Sequence, residues 1–193
     1  MIISPRTAIE QGWVTGIRND DKQVQPNAID FTLDHIYTIN HHNIAILSED
    51  KKLTQMRGGD ELAVSNTTPD GKSWWTLNAH EVYDGLSGIT VDLPEGIACT
   101  LVIRSTFNRN GVYLTSGLYD SGYKGPIGFA IHNRSGLTSV EVGMRVGQIV
   151  FHASDKNGLY AGGWNHEAGT HWSTDTKNIL GIEDLDVMQE LNG

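Results

Sequence analysis

Cysteine, positive charge and long apolar runs are what this chain has least of, and each scarcity removes a class of protein. The single cysteine, Cys99, has no partner within the chain for a disulfide. In the apolar stretch GIACTLVI it reads as packing without a redox role. No window approaches the roughly 18 apolar residues of a membrane-spanning helix, and the first residues lack the charged-then-apolar layout of a signal peptide. A cytoplasmic protein with no membrane partner is expected. Lys and Arg together number 14 against 23 Asp and Glu, a net charge of −9. A groove for DNA or RNA would have to be built against that overall field, so nucleic acid is not an expected partner.

What the chain does have is glycine, 22 residues of it, spaced between short apolar runs. The 193 residues suffice for one substantial core, and 1–193 is read as a single domain. Near the start, Ser4-Pro5 is a helix-start signature, Ile9 and Trp13 lie four apart, and Gly12 and Gly16 mark the exit. In QPNAIDFTLDHIYTI, Ile29, Phe31 and Leu33 alternate with Asp30, Thr32 and Asp34, which predicts a strand with Asp30 on the face away from the core. The paired His41-His42 point apart with no ligand at metal spacing, so a loop is expected there. The polar stretch 48–73, with its PDGK turn, reads as a surface excursion between strands. The nearly continuous apolar run 97–103 predicts a strand buried on both faces. Only the chain ends read as helical, including an amphipathic 179–191, and the rest argues for an antiparallel sandwich or barrel.

The chemistry concentrates in 104–133, RSTFNRNGVYLTSGLYDSGYKGPIGFAIHN. A basic-hydroxyl turn (Arg104, Ser105, Thr106, Arg109) is followed by a β-branched and aromatic run, then Gly117, Asp120, Gly122, Tyr123 and Gly125, then a strand ending at Asn133. That order predicts a hairpin with a polar pocket at its mouth. An arginine fork and a serine hydroxyl at a strand exit are suited to phosphate oxygens.

RSTFNRNGV followed by GLYDSGYKGPIGFAIHN resembles the second and third motifs of the trimeric dUTPase and dCTP deaminase superfamily. QPNAIDFTL resembles its first motif and the Gly143 to Gln148 stretch GMRVGQ its fourth. The opening residues are similar to those of dCTP deaminases. The resemblance implies an all-β, distorted jelly-roll or barrel fold with a short N-terminal helix and a C-terminal flap and helix over 159–193. It implies a homotrimer, a deoxynucleoside triphosphate substrate (dUTP, with dCTP as the alternative) and Mg²⁺. It further implies Asp120 as the catalytic residue. Arg104, Ser105, Thr106, Arg109 and Gln148 fall near the phosphates, Thr115, Ser116 and Gly117 at the base through their backbone, and Tyr123 against the deoxyribose. Asp30 and Gln148 would meet the metal only through water. The Gly-rich, aromatic 159–172, with Trp164, stands where the family's closing arm belongs, yet it lacks both known arm signatures.

Two activities share this framework. In the zinc-free deaminases a glutamate ten positions after the aspartate moves the proton at C4; counted from Asp120, that position is Ala130. A methyl group carries no proton, whereas dUTPases have an apolar residue there. The expected activity is therefore dUTP diphosphatase, giving dUMP and pyrophosphate. The competing readings are a deaminase that recruits another acid such as His132, and a nucleotide-binding regulator without turnover.

Overall fold

β-Branched and aromatic residues at period two, punctuated by glycine and polar turns, give ten strands in the computed structural model, which describes residues 1–47, 49, 56–156 and 158–161. In chain order these are β1 (Val14–Thr15), β2 (Ile29–Thr38), β3 (Asn66–Thr67), β4 (Ser73–Leu77), β5 (Val82–Asp92), β6 (Ile97–Ile103), β7 (Val112–Thr115), β8 (Lys124–Asn133), β9 (Thr138–Glu141) and β10 (Arg145–Ala153). Seven form one antiparallel sheet in the order β6-β10-β2-β5-β8-β7, with β1 paired to β5; β3, β4 and β9 form a smaller one. The large sheet curls until its ends nearly meet. Cys99 of β6 and Tyr119, just past β7, exchange backbone hydrogen bonds of 2.9 and 3.0 Å. This nearly closed barrel is the all-β architecture expected.

The inward residues of β2, β5, β8 and β10 fill the barrel. Phe31 and Phe129 meet at 5.3 Å between ring centroids, and Ile29, Ile36, Ile89, Ile127 and Ile149 are fully buried. A Cβ at Gly147 would stand 2.3 Å from the Phe31 ring, so only glycine lets β10 lie over it. At the N-terminus a helix, α1 (Pro5–Glu10), ends before Trp13, which packs instead on Phe151 with ring centroids 6.5 Å apart.

Three sequence expectations change. Helix is not confined to the chain ends: α2 (Asp20–Gln23) and α3 (Ser105–Arg109) interrupt the strands, each too short to show a period. The apolar run that becomes β6 is not buried on both faces; Ala98 and Cys99 are buried but Val102 is 45% exposed, because β6 ends the sheet order. The excursion over 48–73 contributes β3, whose partner β4 carries the PDGK hairpin turn, with Gly71 at φ 80°. The His41-His42 pair lies in a turn, His41 facing Glu81 at 3.1 Å. The expected helix over 179–191 lies outside the described residues. No described helix is long and apolar enough to cross a membrane.

Candidate functional site

The hairpin of β7 and β8 turns through 116–123, and its mouth opens on a cavity of about 400 Å³, within the range of small-molecule sites. Thr115, Ser116, Gly117, Asp120 and Tyr123 of the predicted site all line it, as does Ala130. The wall is chiefly apolar, with Leu86, Phe129, Tyr119 and Pro126 among its residues, so the polar pocket expected from the sequence is instead an apolar one with polar groups at its rim. Hydroxyl-rich loop sequence gave the wrong impression, because Tyr119, Pro126 and Phe129 of the hairpin itself line the cavity and Tyr83 and Leu86 of the distant strand β5 add to the apolar wall.

Both cavity tyrosines are anchored by their phenols. Tyr119 donates to the Gly128 carbonyl and Tyr123 to the Pro126 carbonyl, each at 2.6 Å. Burial pushes the Tyr123 phenol up to about 12 and the Tyr119 phenol higher still, so both stay protonated donors near neutrality. Asp120 is exposed at the rim. Tyr160, absent from the sequence expectations, also lines the cavity, edge-on to Tyr123 at 6.1 Å. Gly122, at φ 86°, makes room: a Cβ there would stand 2.9 Å from Leu159. Trp164 lies outside the described residues.

The remaining site residues gather elsewhere. Asp30 does face away from the barrel core, yet it is only 2% exposed, because Arg145 and Gln148 of β10 and Arg104, just past β6, engage it. Arg145 Nη1 donates to Asp30 Oδ2 at 3.0 Å, Gln148 Nε2 donates to Oδ1 at 2.8 Å, and Arg104 Nε stands 3.5 Å from Oδ2. Arg104 also donates to the Arg145 carbonyl at 3.0 Å. Arg145 is the member sequence reasoning missed; its place between two glycines of the GMRVGQ stretch was the available signal. Ser105, Thr106 and Arg109 project from α3, all exposed. Arg104, Ser105, Thr106, Arg109 and Gln148 do not line the cavity.

No group of three or more His, Cys, Asp or Glu among the described residues could hold a metal ion directly. Both Asp30 oxygens are engaged by protein donors, and His132 Nε2 is engaged with the Thr115 hydroxyl at 3.0 Å. Cys99 is fully buried, and burial pushes its thiol up to about 12, consistent with packing alone.

Residues 5–154 match the family described as dCTP deaminase-like, and the chain belongs to that family. It is 28% identical over 144 residues to a probable deoxyuridine 5'-triphosphate nucleotidohydrolase of Methanopyrus kandleri, across 74% of this chain and 88% of that relative. It is 26% identical over 135 residues to a dCTP deaminase of Halorubrum lacusprofundi, across 68% and 64%. The crystal structure of 2'-deoxycytidine 5'-triphosphate deaminase from Agrobacterium tumefaciens is similar in fold, with a TM-score of 0.60 at 18% identity. That match covers 79% of this chain, and the chain spans 48% of that structure's length.

Proposed function

We propose that this protein hydrolyses dUTP to dUMP and pyrophosphate, by Mg²⁺-assisted attack of water on the α-phosphorus. The observation that carries this reading is the cavity itself: it sets Asp120 at its rim and the Ala130 methyl in its wall, where a deaminase would need a proton carrier. Relatives named as probable deoxyuridine 5'-triphosphate nucleotidohydrolases support the same choice.

In this reading the pyrimidine enters the cavity and is read by the backbone around Thr115, Ser116 and Gly117. The Tyr123 ring, fixed by its bond to the Pro126 carbonyl, packs against the deoxyribose and leaves no room for a 2′-hydroxyl. Asp120 accepts a proton from the attacking water as the new oxygen–phosphorus bond forms. The bond from the α-phosphorus to its bridging oxygen breaks, and pyrophosphate leaves. Arg104, Ser105, Thr106, Arg109 and Gln148 hold the triphosphate. Mg²⁺ bound with the triphosphate near Gln148 would supply charge neutralisation. Asp30 then serves to position Gln148 and Arg104. Because the phosphate-holding groups stand apart from the cavity of their own chain, the site is completed by a second copy, in a homotrimer.

Pyrophosphate release from a panel of deoxynucleoside triphosphates with Mg²⁺ tests the activity. Asp120→Asn keeps the size and much of the hydrogen bonding of the side chain but removes the basic oxygen, so turnover of dUTP is expected to fall about 10²-fold or more while nucleotide still binds. Parental turnover in Asp120→Asn rules out the catalytic role. Binding without turnover in the parent protein points to a regulator.

A further inference from the structure

Tyr123, the ring that the hydrolase reading sets against the deoxyribose, is held at both ends. Its Cβ rides on the hairpin backbone, and its phenol donates to the Pro126 carbonyl at 2.6 Å. A tyrosine tethered in that way keeps one soft motion, rotation of the ring about its own long axis, because the terminal torsion of an aromatic side chain is broad. That rotation decides whether a face or an edge is turned toward a sugar. Packing against the ring fixes it, and two rings pack there: Tyr119 with centroids 5.3 Å apart and planes at 59°, and Tyr160 at 6.1 Å, edge-on at 65°.

The two braces come from different parts of the chain. Tyr119 belongs to the hairpin, and its own phenol is bonded to the Gly128 carbonyl. Tyr160 lies past β10, and the segment that carries it is fastened to two loops. The Gly158 N–H donates to the Glu95 carboxylate, in the turn between β5 and β6, at 3.2 Å, and the Tyr160 N–H donates to the Ser121 carbonyl of the hairpin at 2.6 Å. Gly122 permits this approach, since a Cβ there would stand 2.9 Å from Leu159 Cβ and 3.0 Å from the Tyr160 nitrogen. Backbone bonds thus place the Tyr160 ring, which is half-buried and lines the cavity together with Tyr119 and Tyr123.

We propose that Tyr160 is a positioning residue for sugar discrimination: it holds the Tyr123 ring in the rotation that leaves no room for a 2′-hydroxyl, so the filter against ribonucleotides is assembled from two separate segments of the chain. A ribose is accommodated only by turning Tyr123 off this rotation, which breaks its edge contact with Tyr160. A deoxyribose needs no such turn. The brace therefore penalises UTP and leaves dUTP nearly untouched, which is specificity by exclusion. Its size is bounded by the contact that is broken, and an aromatic pair of this kind is worth a factor of about two to ten. This role rests on the hydrolase reading, in which Tyr123 meets the sugar, and adds to it a residue outside the hairpin.

The test uses the full chain and compares kcat/KM for dUTP and UTP, by pyrophosphate release, in the parent, Tyr160→Phe, Tyr160→Ala, Tyr123→Ala and the double variant. The parent is expected to favour dUTP by about a hundredfold or more, the scale at which a close-fitting apolar pocket rejects an added hydroxyl. Tyr160→Ala should lower that preference about three- to tenfold, chiefly by raising kcat/KM for UTP, whereas Tyr160→Phe keeps the edge contact and should hold the preference within about twofold of the parent. Tyr160→Leu, which fills the space without a flat edge, should give the shift of Tyr160→Ala and replaces it if the smaller side chain costs the fold. In the Tyr123→Ala background Tyr160→Ala should have no further effect, because a residue that acts through the ring has nothing left to hold. If Tyr123→Ala collapses the preference but Tyr160→Ala and Tyr160→Leu leave it unmoved, the brace is overturned and the sugar reading of Tyr123 stands. An equal effect of Tyr160→Ala with and without the Tyr123 ring means direct contact with the nucleotide and also overturns it. A preference that Tyr123→Ala leaves intact overturns the sugar reading and the brace together. Should neither nucleotide turn over, the hydrolase reading fails, and calorimetric binding decides the role of Tyr160: a dUTP preference that Tyr160→Ala weakens and Tyr160→Phe keeps supports it, and binding without that pattern sinks it.

Discussion

The cavity between β5, β7 and β8 and the cluster around Asp30 between β2, β6 and β10 are built on opposite plans. In the first, an apolar wall carries carboxylates at its edges, and a ligand can enter. In the second, a carboxylate only 2% exposed is already engaged by Arg104, Arg145 and Gln148. A buried carboxylate so engaged holds its partners in place. The difference is one of position: the groups expected to meet the base and sugar share a cavity, and those expected to meet phosphates do not line it.

The sharpest way to break this division is to mix copies. Asp120→Asn and Ser105→Ala, each expected to lower dUTP turnover tenfold or more alone, damage different halves. If a site takes its halves from two protomers of a trimer, co-refolded mixtures regain about a quarter of parental activity, the share of neighbouring pairs in which both intact residues meet. Activity no higher than the average of the two variants places both halves in one chain. Measured mass in solution is the accompanying check, and a monomer that turns over on dilution excludes the shared site.

The next prediction concerns the closed half. Asp30→Ala leaves two guanidiniums and an amide without their shared acceptor, and removing one partner of a buried pair destabilises by about 3 kcal/mol. Denaturant unfolding should show that loss. The equivalent truncation in the open half, Asp120→Ala, removes an exposed carboxylate that water can reach, and its effect on stability should be well under half as large. Equal losses would mean that the two regions do not differ as described.

Local signals made the open half readable in advance. Gly117, Asp120, Gly122 and Tyr123 lie within one hairpin, where spacing alone dictates geometry. Asp30 was placed on the correct face by period two, but its burial depends on Arg145, 115 positions away in sequence, and no local pattern reports that. Asp84 in the cavity wall was invisible for a related reason: it stands opposite Ala130 through the register between β5 and β8, which no local pattern reports. The apolar composition of β6 suggested burial on both faces, since composition does not say whether a strand ends a sheet. The one-turn helix α3 has too few residues to show a period, so its five residues read as a turn.

The smallest predicted effect lies at the seam between the two regions, where Cys99 of β6 pairs with Tyr119 at the cavity. Burial raises the thiol from 9.0 to about 12. This is an acid whose folded pKa lies above its unfolded value, so above about pH 9 the unfolded chain releases a proton that the native chain keeps. The unfolded state then binds fewer protons, and stability falls as pH rises, by up to about 1.4 kcal/mol per pH unit until the native thiol itself titrates. The Tyr119 and Tyr123 phenols act in the same direction, but only from their ordinary value of 10.0 upward. Between pH 9 and 10 the thiol is therefore the largest of these contributions, and roughly 1 kcal/mol of stability should be lost there. Cys99→Ala lowers stability at every pH by leaving a small cavity, yet it should flatten this part of the curve. An unchanged slope in Cys99→Ala would mean that water reaches the thiol in the native state, and hence that the Cys99–Tyr119 seam opens. The barrel would then not be held closed between its two halves, and the cavity could not keep the fixed apolar wall on which its contrast with the Asp30 cluster depends.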